Sequence, residues 1–429
     1  MTKIVIIGNG VAGITVAKEL VESGQSAGES NLLAKASAEA GLRASAFPEI
    51  KVYSEEKYPY YSRIDLIKLL AGKIELKEIF FYPPEWYEKR GIKVYLNQKA
   101  RKIDPVKKEI VIADYAERSA DYAEKTVSYD QLVLATGAQA ASLPVKGKEK
   151  QGVFTLRTID DVLRIKEYLK RLLAISHQPS AVVIGGGVLG LEAGWALSLL
   201  GTKVTVVEFF NRFLPRQLDE EGANIFKTQV EKLGINVLLA KETIEILGND
   251  KVREVVFKGG TKIPADLVLF SAGIRPNIEL GQTAGLKVNK GIIVDEHLRT
   301  SQTDIYACGD CAGFQGKIYG IIPAAIDQAK IAAQNVLGKN STYAGTIPSN
   351  TLKVVGIDLT SIGLISPDSP EGEEIKKVDK EKGIYKKLIL KEGKIVGTVF
   401  LGTKTELGKI SRLIKEKTDV SRFKETLLE

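Results

Sequence analysis

The 429-residue sequence predicts an α/β protein: two doubly wound parallel-sheet domains, one inserted in the other, followed by a small α+β domain. Three observations predict it. An apolar strand, a Gly-x-Gly-x-x-Gly loop and a helix occur in that order twice, at Thr2–Gly13 and at Ala181–Gly190. Two later strands, in Tyr129–Gly137 and Asp266–Gly273, each run straight into a Gly turn, as in a chain that leaves one doubly wound unit and later returns. From about Thr346 the pattern changes to short strands and Gly turns. The boundaries that follow are 1–150 with 266–340 for the first unit, 151–265 for the inserted one, and 346–429 for the last.

The stretch Ala181–Glu208 carries the sharpest chemistry. Ala181–Ile184 reads as a buried strand, Gly185–Gly190 as a loop, and a helix follows from about Leu191. Gly185 permits the tight turn, Gly187 lets backbone N–H groups reach a pyrophosphate, and Gly190 lets helix and strand pack closely. The helix N-terminus faces the phosphates with its partial positive charge. The next strand, Lys203–Val207, ends at Glu208, 23 residues past Gly185. A carboxylate there accepts both ribose hydroxyls and disfavours a 2′-phosphate. The pattern selects NADH over NADPH.

The first fingerprint is Gly8-Asn9-Gly10-Val11-Ala12-Gly13, with a helix from Ile14 to about Ser23. Its ribose acid is displaced. Gln25–Phe47 is rich in Ala and Ser, with Leu32, Leu33, Ala36 and Ala40 at helical spacing, and reads as an inserted helical excursion. The next strand, Ile50–Tyr53, leads to Glu55, which takes the role; the rival Glu29 has no strand before it. Tyr58–Lys68 is a Pro-punctuated aromatic turn entering a short helix, and Phe80–Trp86 is a loop entering another. Thr136-Gly137 and Gly273 end buried strands in turns where backbone can approach a cofactor. Further helices are expected at Ile159–Leu173 and Glu220–Leu233, a strand at Asn236–Leu239 and a hairpin in Glu245–Lys262. Pro323 sits in the first turn of a later helix. The last domain has strands at Leu352–Val355, Ser361–Ile365, Lys386–Leu390 and Lys394–Phe400, then one basic amphipathic helical run, Leu407–Leu428.

Composition narrows the functions. Two Cys and two His are too few for a disulfide scaffold or a Cys-ligated iron–sulfur cluster, so no metal is expected. No apolar run is long enough to span a bilayer, and MTKIVIIGNG enters a strand directly, so the expected location is cytoplasmic, with no membrane partner. The formal charge of +8 is scattered and not gathered into an aromatic-interleaved stripe, which argues against nucleic acid. It suits a basic surface that attracts an acidic protein. His177 and His297 stand in polar context and read as solvated. A monomer or homodimer is expected.

Two fingerprints, the Ala-Thr-Gly turn and Cys308-Gly309-Asp310 together resemble the two-dinucleotide-fold flavoproteins, the pyridine nucleotide–disulfide oxidoreductases. The chain is most similar to NADH:rubredoxin reductases and the flavin module of assimilatory nitrite reductase. The residues behind this are Tyr58-Pro-Tyr-Tyr-Ser-Arg63, Gly152–Asp161, Tyr319–Ala329 and Asp419–Leu428. The resemblance implies FAD on the first fold and NADH on the second. Gly8, Gly10 and Gly13 would hold the FAD pyrophosphate, Glu55 its ribose, and Asp310 the ribitol or pyrophosphate side. Arg63 matches a flavin-contacting Arg, and Lys68 a Lys that pairs near flavin N5 with a Glu after the second loop, here Glu192. The helix at Pro323 would face the flavin with its positive end.

One departure decides the chemistry. Disulfide reductases of this superfamily carry a redox Cys near the early turn-helix segment, and Glu56–Lys68 has none. Thiol relay is therefore not expected. Cys308 and Cys311 overlie the Gly309-Asp310 motif and read as packing residues. The implied activity is hydride transfer from NADH to FAD, then electron transfer to a small redox protein such as rubredoxin. The alternatives are an NADH oxidase forming peroxide from O2, and a non-catalytic NADH-sensing flavoprotein.

Overall fold

A computed structural model describes residues 2–29, 48–115, 123–175, 178–347 and 349–429. Most of the expected helical excursion, and His177, lie outside them. The chain forms two compact units: Met1–Ser62 with Leu76–Gln139 and Ile274–Thr346, and Arg63–Glu75 with Ala140–Gly273 and Ile347–Glu429.

The first unit is built on a parallel sheet with strand order Ile305–Ala307, Gln131–Leu134, Lys3–Ile7, Glu49–Tyr53, Ile92–Tyr95. Its central strands are apolar on both faces, because helices and loops cover both; Val5 and Ile6 have no exposure. The helix after the first loop runs Val11–Glu29, longer than the sequence pattern indicates. Gly24 inside it is a weak break, about 1 kcal/mol against Ala. This helix packs against Ile322–Val336, which has Pro323 in its first turn. Ala325, Ala329, Ala332 and Ala333 on the second helix are buried and allow that approach. An antiparallel sheet, Gln98–Asp104, Glu109–Asp114 and Ala123–Ser128, completes the unit.

The second unit repeats the plan. Its parallel sheet has the order Asn236–Leu238, Lys203–Val207, Ser180–Ile184, Leu267–Phe270, Val153–Thr155. The expected hairpin is a three-stranded antiparallel sheet, Thr243–Leu247, Glu254–Phe257 and Lys262–Pro264. The helix after the second loop starts at Val188, three residues before the expected Leu191, so Gly190 is a helical residue.

The C-terminal residues form an antiparallel sheet with order Ser349–Val354, Ile357–Gly363, Lys394–Leu401, Ile384–Lys391, Glu373–Asp379. The last of these strands is absent from the sequence reading. It is a charged edge strand, Glu-Glu-Ile-Lys-Lys-Val-Asp, with only sparse apolar residues to reveal it. The long helical run is also corrected. The helix is Leu407–Glu416, ended by Lys417 at φ 51°. The chain then turns back, with Val420 N–H on Gly393 O and Ser421 N–H on the Asp419 carboxylate.

Both glycine loops depend on one close approach. A Cβ on Gly13 would stand 1.9 Å from Gly8 O, and one on Gly190 2.0 Å from Gly185 O. Gly10 and Gly187 have nothing within 4 Å of the same position. Gly13→Ala should therefore cost roughly 1–3 kcal/mol of stability by forcing the helix off its loop. Gly10→Ala should leave the melting temperature of the nucleotide-free protein unchanged. Equal melting of the two variants would show that the loop does not clasp the helix as described.

Candidate functional site: two glycine loops and their surroundings

The two loops are built alike. Gly8 and Gly185 sit at φ 113° and 117°, a left-handed conformation that favours glycine. Each also lies against the backbone of a neighbouring strand end: a Cβ would meet Ala135 O at 2.1 Å or Ser271 O at 2.2 Å. The helices that follow have no acidic residue in the first turn, so nothing there opposes an anion.

Around the first loop, Gly309 at φ 79° brings the Gly309–Cys311 turn, with Asp310, against Ala12. Gly309 N–H donates to Gln328 Oε1 at 2.9 Å, which ties this turn to the Pro323 helix. Both amide atoms of the Asn9 side chain are buried without a hydrogen-bond partner. Glu55 follows the strand Glu49–Tyr53; its carboxylate is 63% exposed and 2.6 Å from Lys99 Nζ. Thr136 Oγ1 donates to Asn277 O at 2.9 Å, and Gly137 turns at φ 67° with open space where a Cβ would be. Cys308 and Cys311 are free and fully buried, and burial pushes both thiols up.

Around the second loop, the Glu208 carboxylate is buried and folded back onto it. It accepts from Gly186 N–H at 2.6 Å and from Phe210 N–H at 2.9 Å. Gly273 ends its strand at φ 94° with an open face. Arg63 donates to Arg157 O.

The expected Lys68–Glu192 pair is not formed. Lys68 Nζ turns to Asp65, three residues back on its own short helix, at 2.7 Å, and its side chain is 58% exposed. Glu192 accepts instead from the N–H of Val355, in the two-residue turn that joins Ser349–Val354 to Ile357–Gly363. That turn has positive φ at both residues, 48° at Val355 and 84° at Gly356. Burial raises the Glu192 carboxyl, opposed by Val355 N–H and by the charge of Lys73, the cation that acts on it in place of Lys68. Lys73 in turn lies 4.0 Å over the Trp195 ring, three residues along the helix from Glu192. Nothing in the sequence pattern distinguishes Val355 or Lys73. His297 is also corrected: its ring is half-buried, with Nδ1 2.9 Å from Ser341 O.

The donor sets fit dinucleotides. Gly10 and Gly187 leave the approach to each loop open, and Asn9 holds an amide in want of a partner. Among the described residues no cluster of His, Cys, Asp and Glu could hold a metal, and no helix is long and apolar enough to cross a membrane.

Fold and loops together define a protein of the two-dinucleotide class. The chain belongs to the pyridine nucleotide-disulphide oxidoreductase family, whose model matches residues 2–334; residues 348–418 match the rubredoxin NAD+ reductase C-terminal domain. FAD and NADH are the cofactors expected of it. It is 37% identical over 422 residues to a nitrite reductase [NAD(P)H] of Bacillus subtilis, covering 98% of this chain and 48% of that one. It is 32% identical over 408 residues to an NADH-rubredoxin oxidoreductase of Clostridium acetobutylicum, covering 94% of this chain and 93% of that one. The solved NAD-dependent persulfide reductase from A. fulgidus superposes with a TM-score of 0.82 at 27% identity, over 98% of this chain and 78% of that one. The chain spans about half the length of the first curated relatives it matches.

Burial raises the Glu192 carboxyl on folding, so the ionised group opposes folding. That penalty is absent below the ordinary value of 4.5 and grows as pH rises through the raised one. Glu192→Gln keeps an acceptor for Val355 and should gain stability on wild type as pH rises through that window. Glu192→Leu leaves the Val355 N–H without an acceptor and should cost about 1–3 kcal/mol. Urea unfolding in a pH series checks both, and parallel wild-type and Gln curves would refute the burial argument.

Proposed function

We propose that this chain passes electrons from NADH, through FAD, to a small acidic redox protein such as rubredoxin. The first unit holds FAD, with Gly8, Gly10 and Gly13 at its pyrophosphate, Glu55 at its ribose, and Thr136, Gly137, Asp310 and the Pro323 helix along the rest. The second holds NADH, with Gly185, Gly187 and Gly190 at its pyrophosphate and Glu208 at its ribose. Bound FAD would supply the change from two-electron to one-electron chemistry.

One observation carries the reading: the only two thiols are fully buried and pushed up, so neither is a poised thiolate. A relay through sulfur has no nucleophile, which leaves direct transfer out of the flavin. Glu208 exchanges its bond from Gly186 N–H for the ribose hydroxyls, and its buried charge disfavours a 2′-phosphate. Glu192 offers a half-buried carboxyl near the second loop, held by Val355 N–H and screened by Lys73. Gly273 and Arg63 are further cofactor-contacting residues in this reading. The formal charge of +8 suits an acidic acceptor.

NADH turnover with rubredoxin, ferredoxin and O2 side by side tests the acceptor. Rubredoxin should be reduced fastest, and its rate should fall as salt is added. Fastest turnover with O2 alone would favour an oxidase, and slow turnover with every acceptor a sensor. Glu208→Ala should narrow the preference for NADH over NADPH by roughly 10-fold or more, since hydrogen bonds to a charged group contribute about 1.5–3 kcal/mol. An unchanged preference would remove the ribose assignment.

A further inference from the structure

We propose that the C-terminal sheet is a positioning element for the pyridine-nucleotide loop, acting through Tyr385 and Lys387 on Asp219. This rests on the reading that the second loop binds NADH.

Asp219 caps the helix Glu220–Lys232, with Oδ1 accepting from Gly222 N–H at 2.9 Å. Its other oxygen belongs to the C-terminal strand Ile384–Lys391. Tyr385 OH donates to Oδ2, and Lys387 Nζ lies 2.8 Å from it. Lys387 is 1% exposed and also pairs with Glu374. Burial alone would raise the Asp219 carboxyl; Lys387, Tyr385 and Gly222 N–H hold it below the usual range. A buried cation and a buried phenol are thus spent on one helix cap. Loss of either leaves buried charge or polarity uncompensated. The helix is fastened again further along, where Gln229 Nε2 donates to Gly383 O at 2.9 Å. The absence of a side chain at Gly222 lets the Tyr385 ring lie against the first turn, 3.2 Å from where a Cβ would be.

From that helix the contact continues to the loop. Phe226 meets Phe213 edge to face, with centroids 6.1 Å apart. Phe213 is fully buried, and its ring would be 2.6 Å from a Cβ on Gly186, the residue whose N–H donates to Glu208. A covalent path runs beside it. Phe209–Leu218 joins Glu208 to the capped helix, and Leu214, at φ 51°, accepts from both Gln217 and Leu218 N–H. Each link is a packed or hydrogen-bonded contact, so a shift at Asp219 moves Phe213 and the Gly186–Glu208 bond.

Lys386 supplies a matched control. It is 8% exposed, ion-paired with Glu406, and points to the opposite face of the same strand. The experiment measures NADH and ADP-ribose binding by calorimetry, KM for NADH, kcat, FAD content and melting temperature for FAD-loaded wild type, Tyr385→Phe, Lys387→Met and Lys386→Met. Tyr385→Phe and Lys387→Met should weaken ADP-ribose and NADH binding about three- to tenfold with kcat and FAD content unchanged. Lys386→Met should lower the melting temperature and leave nucleotide affinity alone. If Lys387→Met fails to fold, Tyr385→Phe, which removes one hydroxyl, decides. Wild-type affinity in Tyr385→Phe, or an equal loss in Lys386→Met, overturns the proposal. Wild type that binds neither ligand overturns instead the reading of the second loop.

Discussion

The interaction on which the rest depends is the contact of a helix with the carbonyl of its own loop: Gly13 on Gly8 O, and Gly190 on Gly185 O. It draws each helix N-terminus down to the end of its strand, so that free N–H groups converge where a diphosphate can lie. Without a Cβ at the first glycine, that same loop can rest on the end of the neighbouring parallel strand, at Ala135 or Ser271. Those strands end in turn at Gly137 and Gly273. A single steric requirement, met twice, thus fixes loop, helix and the returning strand together. The two units share it although their remaining contents differ.

What could be read in the sequence was what backbone sterics dictate. Glycine spacing, apolar strands and the acid after the second strand are local patterns; Glu208 ends that strand, and its buried carboxylate accepts from Gly186 N–H. The placement of Lys68 illustrates the opposite case. A motif match supplies a position in the chain, but a flexible four-carbon side chain takes whichever carboxylate is nearest. Asp65 is on its own helix, while Glu192 is already held by Val355 N–H. Val355 is distant in sequence and engages Glu192 through its backbone, so no residue type announces it. Strand Glu373–Asp379 was illegible for a related reason: at an edge, charge that prevents aggregation replaces the alternation that identifies inner strands.

Two carboxylates on the second unit show how partners decide what burial does. Glu192 and Asp219 both lose water, and burial pushes both upward. Asp219 receives a buried ammonium, a phenol and a backbone N–H, and ends below the ordinary range. Glu192 receives one backbone N–H and a more distant cation, and ends above it. The first is thereby committed to the ionised form and serves as a fixed anchor. The second is raised by burial that its partners only partly oppose. An anchor of the first kind suits a helix cap.

The same accounting bears on the thiols. Cys308 and Cys311 have the spacing of a redox pair, yet Cys311 Sγ is shared between Leu134 O and Cys308 O, both acceptors that favour the neutral thiol. Their strand and turn form the floor beneath Asp310, so opening them to a partner would dismantle the turn that abuts Ala12. A thiol in that place contributes packing and a weak hydrogen bond.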